Sequence, residues 1–402
     1  MNSDLGDALV NFLLVFCMFS LSHGDPIRCR NDQGDSVDWS VVYKIPKEAK
    51  NYQSNGLEAV YLSDKGESSW KLSKYLMNDE KNLIGLTLSP LYSSGGDSSL
   101  NYILYSDQPH KGDTLGAGGH SKGVIVFDST SGYWLIHSVP SFPPDPATSS
   151  RYDYPATGTI NGQIFLCLSF NTHDMLSDII EQLLYIQPHV FSNSLSQSAF
   201  QQFPQLSSLI GKKWIKQPHN QLTLKTIGGQ SLISFGKSPD AHIDIYSQLA
   251  AQSLKTDLLA ETWRRGAGGP LPSECQLTYQ VVNIDEITIN YSDKSAVWSY
   301  MEDHSKWAIS GQSTNPYICI GDINRMASQA KRGGGLVCMK NQRVWKALRG
   351  SINQFEPCPR NNSQRNQSFF QRALHFFTNI FTSKFSLPAK TITRDRRKKE
   401  LR

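Results

Sequence analysis

The sequence predicts an α/β protein made of two similar halves, and three observations support this fold class. Strand-like and helix-like patterns alternate along the chain, which favours an α/β or α+β class over an all-helical one. A His-Ser-Lys motif occurs twice, 184 residues apart. Each copy is followed by the same landmarks in the same order, which indicates a duplicated unit.

The secondary-structure elements are predicted from local patterns. Residues 38–46 form a strand, because β-branched and aromatic residues run up to a proline. A hairpin covers 124–137, where two apolar runs flank a polar turn. Residues 140–160 are rich in Pro, Ser and Thr and predict a connecting loop. Apolar residues at helical spacing predict helices over 175–186 and 245–263.

The duplicated unit contains three landmarks. They are the His-Ser-Lys motif, a polar turn 17 residues after each histidine, and a glycine-led apolar run into a cysteine. The corresponding residues are His120, Lys122, His137 and Cys167 in the first copy, and His304, Lys306, Gly321 and Cys338 in the second. The shared spacing favours duplication over a chance repeat of a tripeptide.

Residues 1–24 predict a cleaved signal peptide. Their apolar run of 13 residues, 9–21, is too short to span a bilayer comfortably but suits a signal-peptide core. The positive charge typical of such segments is missing, since the start of the chain carries Asp4 and Asp7 and no Lys or Arg. An uncleaved anchor is the alternative.

The net charge of +5 is unevenly distributed. Residues 359–402 carry 11 Lys/Arg and two acids, whereas residues 25–358 have a net charge near −2. A near-neutral body attracts a polyanion weakly at pH 7. Eight of the ten histidines lie in that body, and around pH 5 they would make its surface cationic.

These features divide the chain into a signal peptide (1–24), a folded body (25–358) and a basic tail (359–402). The body consists of halves of about 25–200 and 201–358. In the tail, apolar residues recur every four residues, at Phe369, Ala373, Phe377, Phe381 and Phe385, so the segment predicts an amphipathic helix that binds an anionic membrane surface or DNA. A disordered, removable extension is the alternative.

Cysteine usage is typical of an exported protein. The six cysteines after the signal suggest three disulfides, with the pairing left open by the sequence: Cys29, Cys167, Cys275, Cys319, Cys338 and Cys358. They form no Cys-x-x-Cys pair, so no zinc site is predicted. Sequons at Asn290, Asn361 and Asn366 predict glycosylation on a secretory route.

The two motifs can bind and cleave a phosphodiester. In a strand, residues i and i+2 lie on one face, so His120 projects with Lys122, and His304 with Lys306. If the halves pack about a pseudo-two-fold axis, two imidazoles and two ammonium groups meet. One imidazole could attack phosphorus while the other protonates the leaving alkoxide. The lysines would neutralise the developing charge, so we expect no metal and no other cofactor.

Other residues of the repeat have two interpretations. A single His-Ser-Lys copy is usually a solvated strand end, and only the matched pair favours catalysis. His137 follows an apolar strand, which favours a structural role. Asp322 and Asn324 lie in a turn, where such residues cap the backbone; all three are also candidates to support the catalytic groups.

The sequence resembles the deoxyribonuclease II family from residue 38 to Cys358. The resemblance rests on a set of motifs: the strand that starts Asp38-Trp-Ser-Val-Val-Tyr, Asp107-Gln-Pro, Gly-His120-Ser-Lys122-Gly, Trp134-Leu-Ile-His137-Ser-Val-Pro, Asp303-His304-Ser-Lys306-Trp, Gly321-Asp322-Ile-Asn324-Arg, and Arg332-Gly-Gly-Gly-Leu-Val-Cys338. It implies a phospholipase D-like pseudodimer that works at acid pH without metal. It also implies 3′-phosphate and 5′-hydroxyl products and the disulfides Cys29–Cys167, Cys275–Cys358 and Cys319–Cys338.

The resulting hypothesis is a lysosomal or secreted acid endonuclease that cleaves double-stranded DNA of dead or engulfed cells. By analogy with related two-histidine enzymes, His120 is the nucleophile and His304 the acid and base. Two alternatives remain: a phosphodiesterase for another substrate, such as a phospholipid, and an inactive secreted paralogue that binds nucleic acid or a cell surface. Intact His and Lys in both copies argue against the inactive paralogue.

Overall fold

The computed structural model describes residues 25–359 except residues 67, 94–99, 267 and 292–293, and it does not describe the side chains of residues 52 and 53. The predicted signal peptide lies outside the described residues. So do residues 360–402, which include the predicted amphipathic helix of the tail.

Twenty-one strands and seven α-helices lie within the described residues. The strands are β1 (Cys29–Arg30), β2 (Ser36–Val37), β3 (Trp39–Lys44), β4 (Glu48–Ala49), β5 (Tyr52–Gln53), β6 (Ala59–Ser63), β7 (Lys71–Leu72), β8 (Asn101–Ser106), β9 (Lys122–Phe127), β10 (Ser131–His137), β11 (Gln163–Asn171), β12 (Val190–Ser194), β13 (His219–Lys225), β14 (Ser231–Lys237), β15 (Leu258–Thr262), β16 (Val281–Tyr291), β17 (Lys294–Ser299), β18 (Lys306–Ser310), β19 (Tyr317–Gly321), β20 (Gly334–Lys340) and β21 (Ile352–Phe355). The helices are α1 (Leu83–Ser93), α2 (Ala156–Ile160), α3 (Thr172–Ile186), α4 (Gln197–Gln202), α5 (Gln205–Ile210), α6 (Ala251–Leu254) and α7 (Gln342–Ser351). Short 3₁₀ or π turns cover Pro239–Ala241, Ile245–Ala250, Tyr300–Glu302 and Ala327–Lys331.

Two large sheets contain most of these strands, and they repeat one strand order. The first sheet runs β12-β8-β9-β10-β11-β3-β6-β7, and the second runs β13-β14-β20-β19-β18-β15-β16-β17. When the second sheet is read in reverse, from β17 to β13, six successive strands of the two sheets correspond. In order, β8, β9, β10, β11, β3 and β6 of the first sheet match β15, β18, β19, β20, β14 and β13 of the second. Every neighbouring pair in these six positions is antiparallel. This shared order confirms the predicted architecture of two similar halves in a mixed α/β protein.

Helices also occupy matching places after the strands. Helix α3 follows β11, and α7 follows β20. Helix α3 contacts β11 of the first sheet and β13, β14 and β20 of the second, so it ties the two sheets together. Its apolar residues, including Met175, Leu176 and Ile179, are buried. This confirms the helix predicted over 175–186.

The prediction of one helix over 245–263 is wrong in its second part. Helical structure begins at Ile245 and ends at Lys255, which adopts a left-handed conformation with φ of 52°. Strand β15 follows, and all of its residues are buried between β16 and β18. A strand buried on both faces lacks the alternating pattern of a half-exposed one, so its apolar run is easily taken for a helix.

Three disulfides cross-link the described part of the chain. They join Cys29 to Cys167, Cys275 to Cys358 and Cys319 to Cys338. These are the pairs that the family resemblance implies. Cys167 and Cys338 occupy equivalent positions in β11 and β20, but their partners differ: one bond reaches the start of the body, and the other joins two neighbouring strands.

Candidate active site

The two His-Ser-Lys motifs lie at the entrance to equivalent strands. Lys122 is the first residue of β9, and Lys306 is the first residue of β18. His120 and His304 therefore precede the strands by two residues instead of lying within them, as the strand argument assumed. Both histidines are nearly buried, with 9% exposure each. Burial of both pairs disagrees with the alternative of solvated strand ends.

Each histidine is held by backbone of the opposite half. The amide of His120 donates to the carbonyl of Gly333 (2.7 Å), and the amide of His304 donates to the carbonyl of Gly162 (2.8 Å). Matching parallel bridges join Gly119 to Gly333 and Gly162 to Asp303. A Cβ on Gly162 would lie 2.7 Å from the Asp303 carboxylate, so a larger residue would push the halves apart there.

The imidazole rings are oriented by a second pair of contacts between the halves. Nδ1 of His120 lies 2.8 Å from the carbonyl oxygen of Asp322, and Nδ1 of His304 lies 2.8 Å from that of Ser138. A carbonyl only accepts hydrogen bonds, so Nδ1 carries the proton in both rings. In the neutral rings, Nε2 is then the nitrogen that carries the lone pair. Ser138 and Asp322 each lie 18 residues after a motif histidine, within the polar turns of the repeat.

Lys122 lies in a charged cluster to which both halves contribute. Its Nζ contacts Oδ1 of Asp107 at 2.5 Å, while Arg332 contacts Oδ2 of the same carboxylate at 3.2 Å. Nε2 of His120 lies 4.0 Å from Asp107. Burial opposes ionisation of Asp107, but Lys122, His120 and Arg332 together lower its pKa to about 2. Asp107 is therefore ionised at pH 5 as well as at neutral pH.

Lys306 has different surroundings in the second half. Its Nζ donates to the backbone carbonyl of His304 at 2.6 Å and lies 3.2 and 3.3 Å from the two ring nitrogens. Burial and the charge of Lys122 lower the pKa of Lys306 well below its ordinary value. The two lysines are therefore close enough to repel each other, and an anion placed between them would relieve that repulsion.

Both imidazoles have lowered pKa values and therefore favour the neutral form. Burial and then Lys122 lower the pKa of His120 to about 3, with Asp107 acting in the opposite direction. Burial and then Lys306 lower the pKa of His304 well below its ordinary value. A negatively charged ligand would raise both values because it favours the imidazolium form.

The two histidines open onto one cleft of about 290 Å³. The cleft is mainly polar, with one indole. Its described lining residues are Asp107, Gln108, Thr114, His120, Trp263, Arg265, Gly266, His304, Asn324, Met326, Ser328, Gln329 and Arg332. The cleft therefore offers two imidazoles and two arginines to one bound phosphodiester, and the buried lysines Lys122 and Lys306 lie close behind the imidazoles.

Comparison with known proteins identifies the family. The family profile described as Deoxyribonuclease II matches residues 28–358. Human deoxyribonuclease-2-beta is 38% identical over 87% of this chain and 96% of its own length. Plancitoxin-1 of Acanthaster planci is 34% identical over 86% and 96%, and cell-death-related nuclease 7 of Caenorhabditis elegans is 35% identical over 90% and 95%.

The chain belongs to the deoxyribonuclease II family. It is therefore a nuclease, a hydrolase of phosphodiester bonds. Membership of this family also agrees with the phospholipase D-like arrangement of two halves around one cleft.

The three supporting candidates from the turns have different positions in this deoxyribonuclease II-family site. Asn324 lines the cleft. Asp322 fixes His120 through its backbone carbonyl, and its side chain accepts from the amide of Gly335 at 2.9 Å. Burial raises the pKa of the Asp322 carboxyl to about 7. His137 is buried against Phe142 and Phe165, a position that suits the structural interpretation.

Two buried lysines near the site were not predicted from the sequence. Lys44 ends β3 and donates to the carbonyls of Thr159 (2.9 Å) and Asn161. Its side chain thereby holds the loop that leads to Gly162, the residue bonded to His304. A lysine at the end of a strand is ordinarily solvent-exposed, so no local pattern indicates this role.

Lys237 occupies the equivalent place in the second half, at the end of β14. It donates to the carbonyls of Gln329 (3.2 Å), Ala330 (3.0 Å) and Arg332. This loop leads to Gly333, the residue bonded to His120. The duplication therefore includes a pair of lysines that shape the contacts between the halves, in addition to the catalytic candidates.

Other predicted features lie away from the cleft. Asn290 is exposed on β16, whereas Asn361 and Asn366 lie outside the described residues, and glycosylation stays a prediction at all three. No group of three His, Cys, Asp or Glu side chains is placed to hold a metal within the described part of the chain. None of the helices described there is long and apolar enough to cross a membrane.

Proposed function

We propose that residues 25–358 form an acid endodeoxyribonuclease that hydrolyses double-stranded DNA without a metal ion. The observation that carries the proposal is the pair of histidines at one cleft. Each has Nδ1 bonded to a carbonyl of the opposite half, so Nε2 is the ring nitrogen that carries the lone pair of the neutral ring, and in His304 it lies 3.3 Å from Nζ of Lys306. The two halves, about 25–200 and 201–358, would each contribute one histidine and one lysine. DNA as the substrate rests on the deoxyribonuclease names of the relatives.

The proposed reaction proceeds through a phosphohistidine. Nε2 of His304 attacks phosphorus, the bond from phosphorus to the 5′-oxygen breaks, and His120 gives its Nε2 proton to that oxygen. Water, deprotonated by His120, then attacks the phosphohistidine. This step releases a 3′-phosphate and regenerates neutral His304. Lys122 and Lys306 stabilise the charge that develops on the non-bridging oxygens.

The roles proposed for the two histidines reverse those assigned by analogy. His120 lies 4.0 Å from a carboxylate, which favours its protonated form. His304 lies next to Lys306 and the indole of Trp263 instead, and this environment favours the neutral nucleophile. Denaturing the enzyme during turnover and mapping the phosphorylated peptide would distinguish the two assignments.

An acid pH optimum follows from the low pKa values of the two histidines. The phosphodiester raises the pKa of His120 when it binds, so formation of the active complex takes up a proton. Lowering the pH therefore favours the complex in which His120 is protonated. The phosphodiester also raises the pKa of His304, but burial and the adjacent Lys306 hold this pKa well below its ordinary value, so His304 is the ring that stays neutral for attack.

The proposed setting is the lysosome or the outside of the cell, where the enzyme degrades DNA of dead or engulfed cells. Three disulfides suit an oxidising compartment. The names of two relatives, cell-death-related nucleases 7 and 6, connect those proteins with cell death. We also propose cleavage of residues 1–24 and binding of the basic tail to DNA or an anionic membrane.

Nicking of supercoiled plasmid at pH 5 in the presence of EDTA tests the proposal. We expect open-circular and then linear DNA, with 3′ ends that can be extended by a polymerase only after phosphatase treatment. Added Mg²⁺ should give no large stimulation. An enzyme that works only with Mg²⁺ at neutral pH would contradict the two-histidine mechanism and indicate metal-assisted hydrolysis.

A further inference from the structure

The pseudo-two-fold symmetry of the site breaks at one pair of residues. Ser106, the last residue of β8, pairs with Lys122, and Thr262, the last residue of β15, pairs with Lys306. The next residue in each half therefore occupies an equivalent place beside a lysine. That residue is a carboxylate in the first half, Asp107, and an indole in the second half, Trp263.

Trp263 faces the cleft next to the proposed nucleophile. Its ring centroid lies 5.3 Å from that of His304, with an interplanar angle of 70°. The indole is half-buried and lines the cleft. Among the described lining residues, Trp263 is the one Phe, Tyr or Trp side chain. It gives an otherwise mainly polar cleft an aromatic surface on one side.

Arg265 supplies a positive charge on the same side. Its guanidinium carbon lies 5.7 Å from the centroid of the Trp263 ring, and its side chain is exposed at the cleft. The residue between them is anchored differently: Arg264 is buried, contacts Asp285 at 2.8 Å and lies over the ring of Tyr300. Residues i and i+2 of an extended segment share a face. Arg264 points away from the cleft to Asp285 and Tyr300, whereas Trp263 and Arg265 on either side of it both line the cleft.

We propose that Trp263 and Arg265 form a subsite for one unstacked nucleobase and its phosphate, adjacent to the phosphodiester that is cleaved. Indole rings bind bases of any sequence by stacking, and arginine binds the neighbouring phosphate. Because Asp107 replaces the indole on the other side of the cleft, the subsite exists on the His304 side alone. It therefore gives the bound strand a direction. The inference rests on the proposed cleavage of DNA and adds to it a contact with a base.

The subsite also has a consequence for duplex DNA. A base can stack on Trp263 only after it leaves its neighbours, which costs a few kcal/mol in a duplex and less in a single strand. We therefore expect the contribution of Trp263 to be easiest to detect on single-stranded DNA, because separating a base from its neighbours there offsets less of the free energy gained by stacking on the indole.

The test uses the whole protein and a labelled single-stranded oligonucleotide, with cleavage at each linkage read from a gel. The variant Trp263→Ala should lower kcat/KM by about 5- to 100-fold, mainly through KM, as expected for the loss of one stacked base. Trp263→Tyr should retain most of the activity, and Trp263→Leu should not. Arg265→Ala should raise KM several-fold and reduce the salt dependence of KM.

An abasic site in the same oligonucleotide identifies the base contact. In the wild type, the abasic site should slow cleavage at one flanking linkage and not at the other. Trp263→Ala should cause no further loss at that linkage, because the base that it would stack is already missing. Trp214→Ala and Arg151→Ala are matched controls: Trp214 is half-buried, Arg151 is exposed, and neither is among the described residues that line the cleft.

The possible outcomes separate failure of the proposed base subsite from failure of the proposed DNA cleavage. If Trp263→Ala loses as much activity at the abasic linkage as at the intact one, Trp263 only supports His304 and the subsite is wrong. If the wild type cleaves both flanking linkages equally with and without the base, the subsite is also wrong. If the wild type cleaves no linkage of the intact oligonucleotide or of plasmid DNA, the proposed function itself fails.

Discussion

The two halves of the protein place their histidines in the same way and then surround them differently. In both halves, the amide and Nδ1 of the histidine bond to carbonyls of the other half. Beside His120, however, stands the carboxylate of Asp107, and beside His304 stands the indole of Trp263. The shared backbone thus builds a symmetric pair of imidazoles. The unshared side chains give each imidazole its own chemical role.

Removal of either imidazole should have the largest effect. His120→Ala and His304→Ala should each lower kcat by at least about 10²-fold, because each ring carries a different proton or phosphoryl transfer. Plasmid cleavage at pH 5 measures the loss, and circular dichroism with thermal melting checks that the variants are folded. A variant that keeps more than about a tenth of the activity would show that the corresponding imidazole is not essential.

Loss of the Asp107 carboxylate should have a smaller effect, mainly through the protonation of His120. Asp107→Asn removes the negative charge that favours protonated His120, so the pKa of His120 falls further and the general acid is depleted. We expect kcat to fall roughly 10- to 100-fold, a typical loss for a residue that acts through a catalytic group. The pH optimum should move to lower pH.

The pH–rate profile of Asp107→Asn also tests the assignment of roles. If His120 is the general acid, the optimum moves down as described. If His120 is the nucleophile, its neutral form becomes more abundant at acid pH, and the acid side of the profile should extend with no loss at the optimum. The second result would restore the assignment made by analogy.

A substitution in the turn of the second half should change the response to pH. The pKa of Asp322 is raised to about 7, so this carboxyl is neutral at pH 5 and becomes an anion as the pH rises above 7. That anion would repel a bound phosphate. Asp322→Asn should therefore raise the ratio of activity at pH 8 to activity at pH 5 by roughly 3- to 10-fold, as expected for one charge at an effective dielectric near 20.

The exposed residue Asp174 provides the control for this experiment. Asp174 is solvent-exposed in the first turn of α3, and Asp174→Asn should leave the pH 8 to pH 5 ratio as it is. An unchanged ratio in Asp322→Asn as well would mean that the buried carboxyl of Asp322 does not oppose substrate binding at neutral pH.

The paired buried lysines should give the smallest effect, of similar size in both halves. Lys44→Met and Lys237→Met each leave two or three loop carbonyls without a donor, which should lower the free energy of unfolding by about 1–3 kcal/mol. Activity should fall several-fold, because the loops position Gly162 and Gly333. Denaturant unfolding and plasmid cleavage measure the two effects, with exposed Lys225→Met as control. A loss in one variant alone would show that only one loop depends on its lysine.

Sequence patterns predicted the parts of the fold that local chemistry determines. The strand up to Pro46, the hairpin at 124–137 and helix α3 follow from residue type and spacing, and the structure confirms them. The repeated landmarks predicted the two halves. The helix predicted over 245–263 was wrong after residue 255, because strand β15 is buried on both faces and its apolar run has no period that distinguishes it from a helix.

The sequence by itself determined which residue types form the candidate site, since His, Ser and Lys recur with one spacing in two copies. Tertiary structure alone decided what surrounds them. The carbonyls that orient the rings lie 202 and 166 residues from the histidines they bind. Lys44 and Lys237 belong to the site through contacts with distant segments and have no local signal of their own, and Asp107 is marked in the sequence only by the family motif. The spacing of residues along the sequence predicts which side chains share a face of one strand. Packing of the two halves determines which carbonyl, carboxylate or indole lies opposite that face.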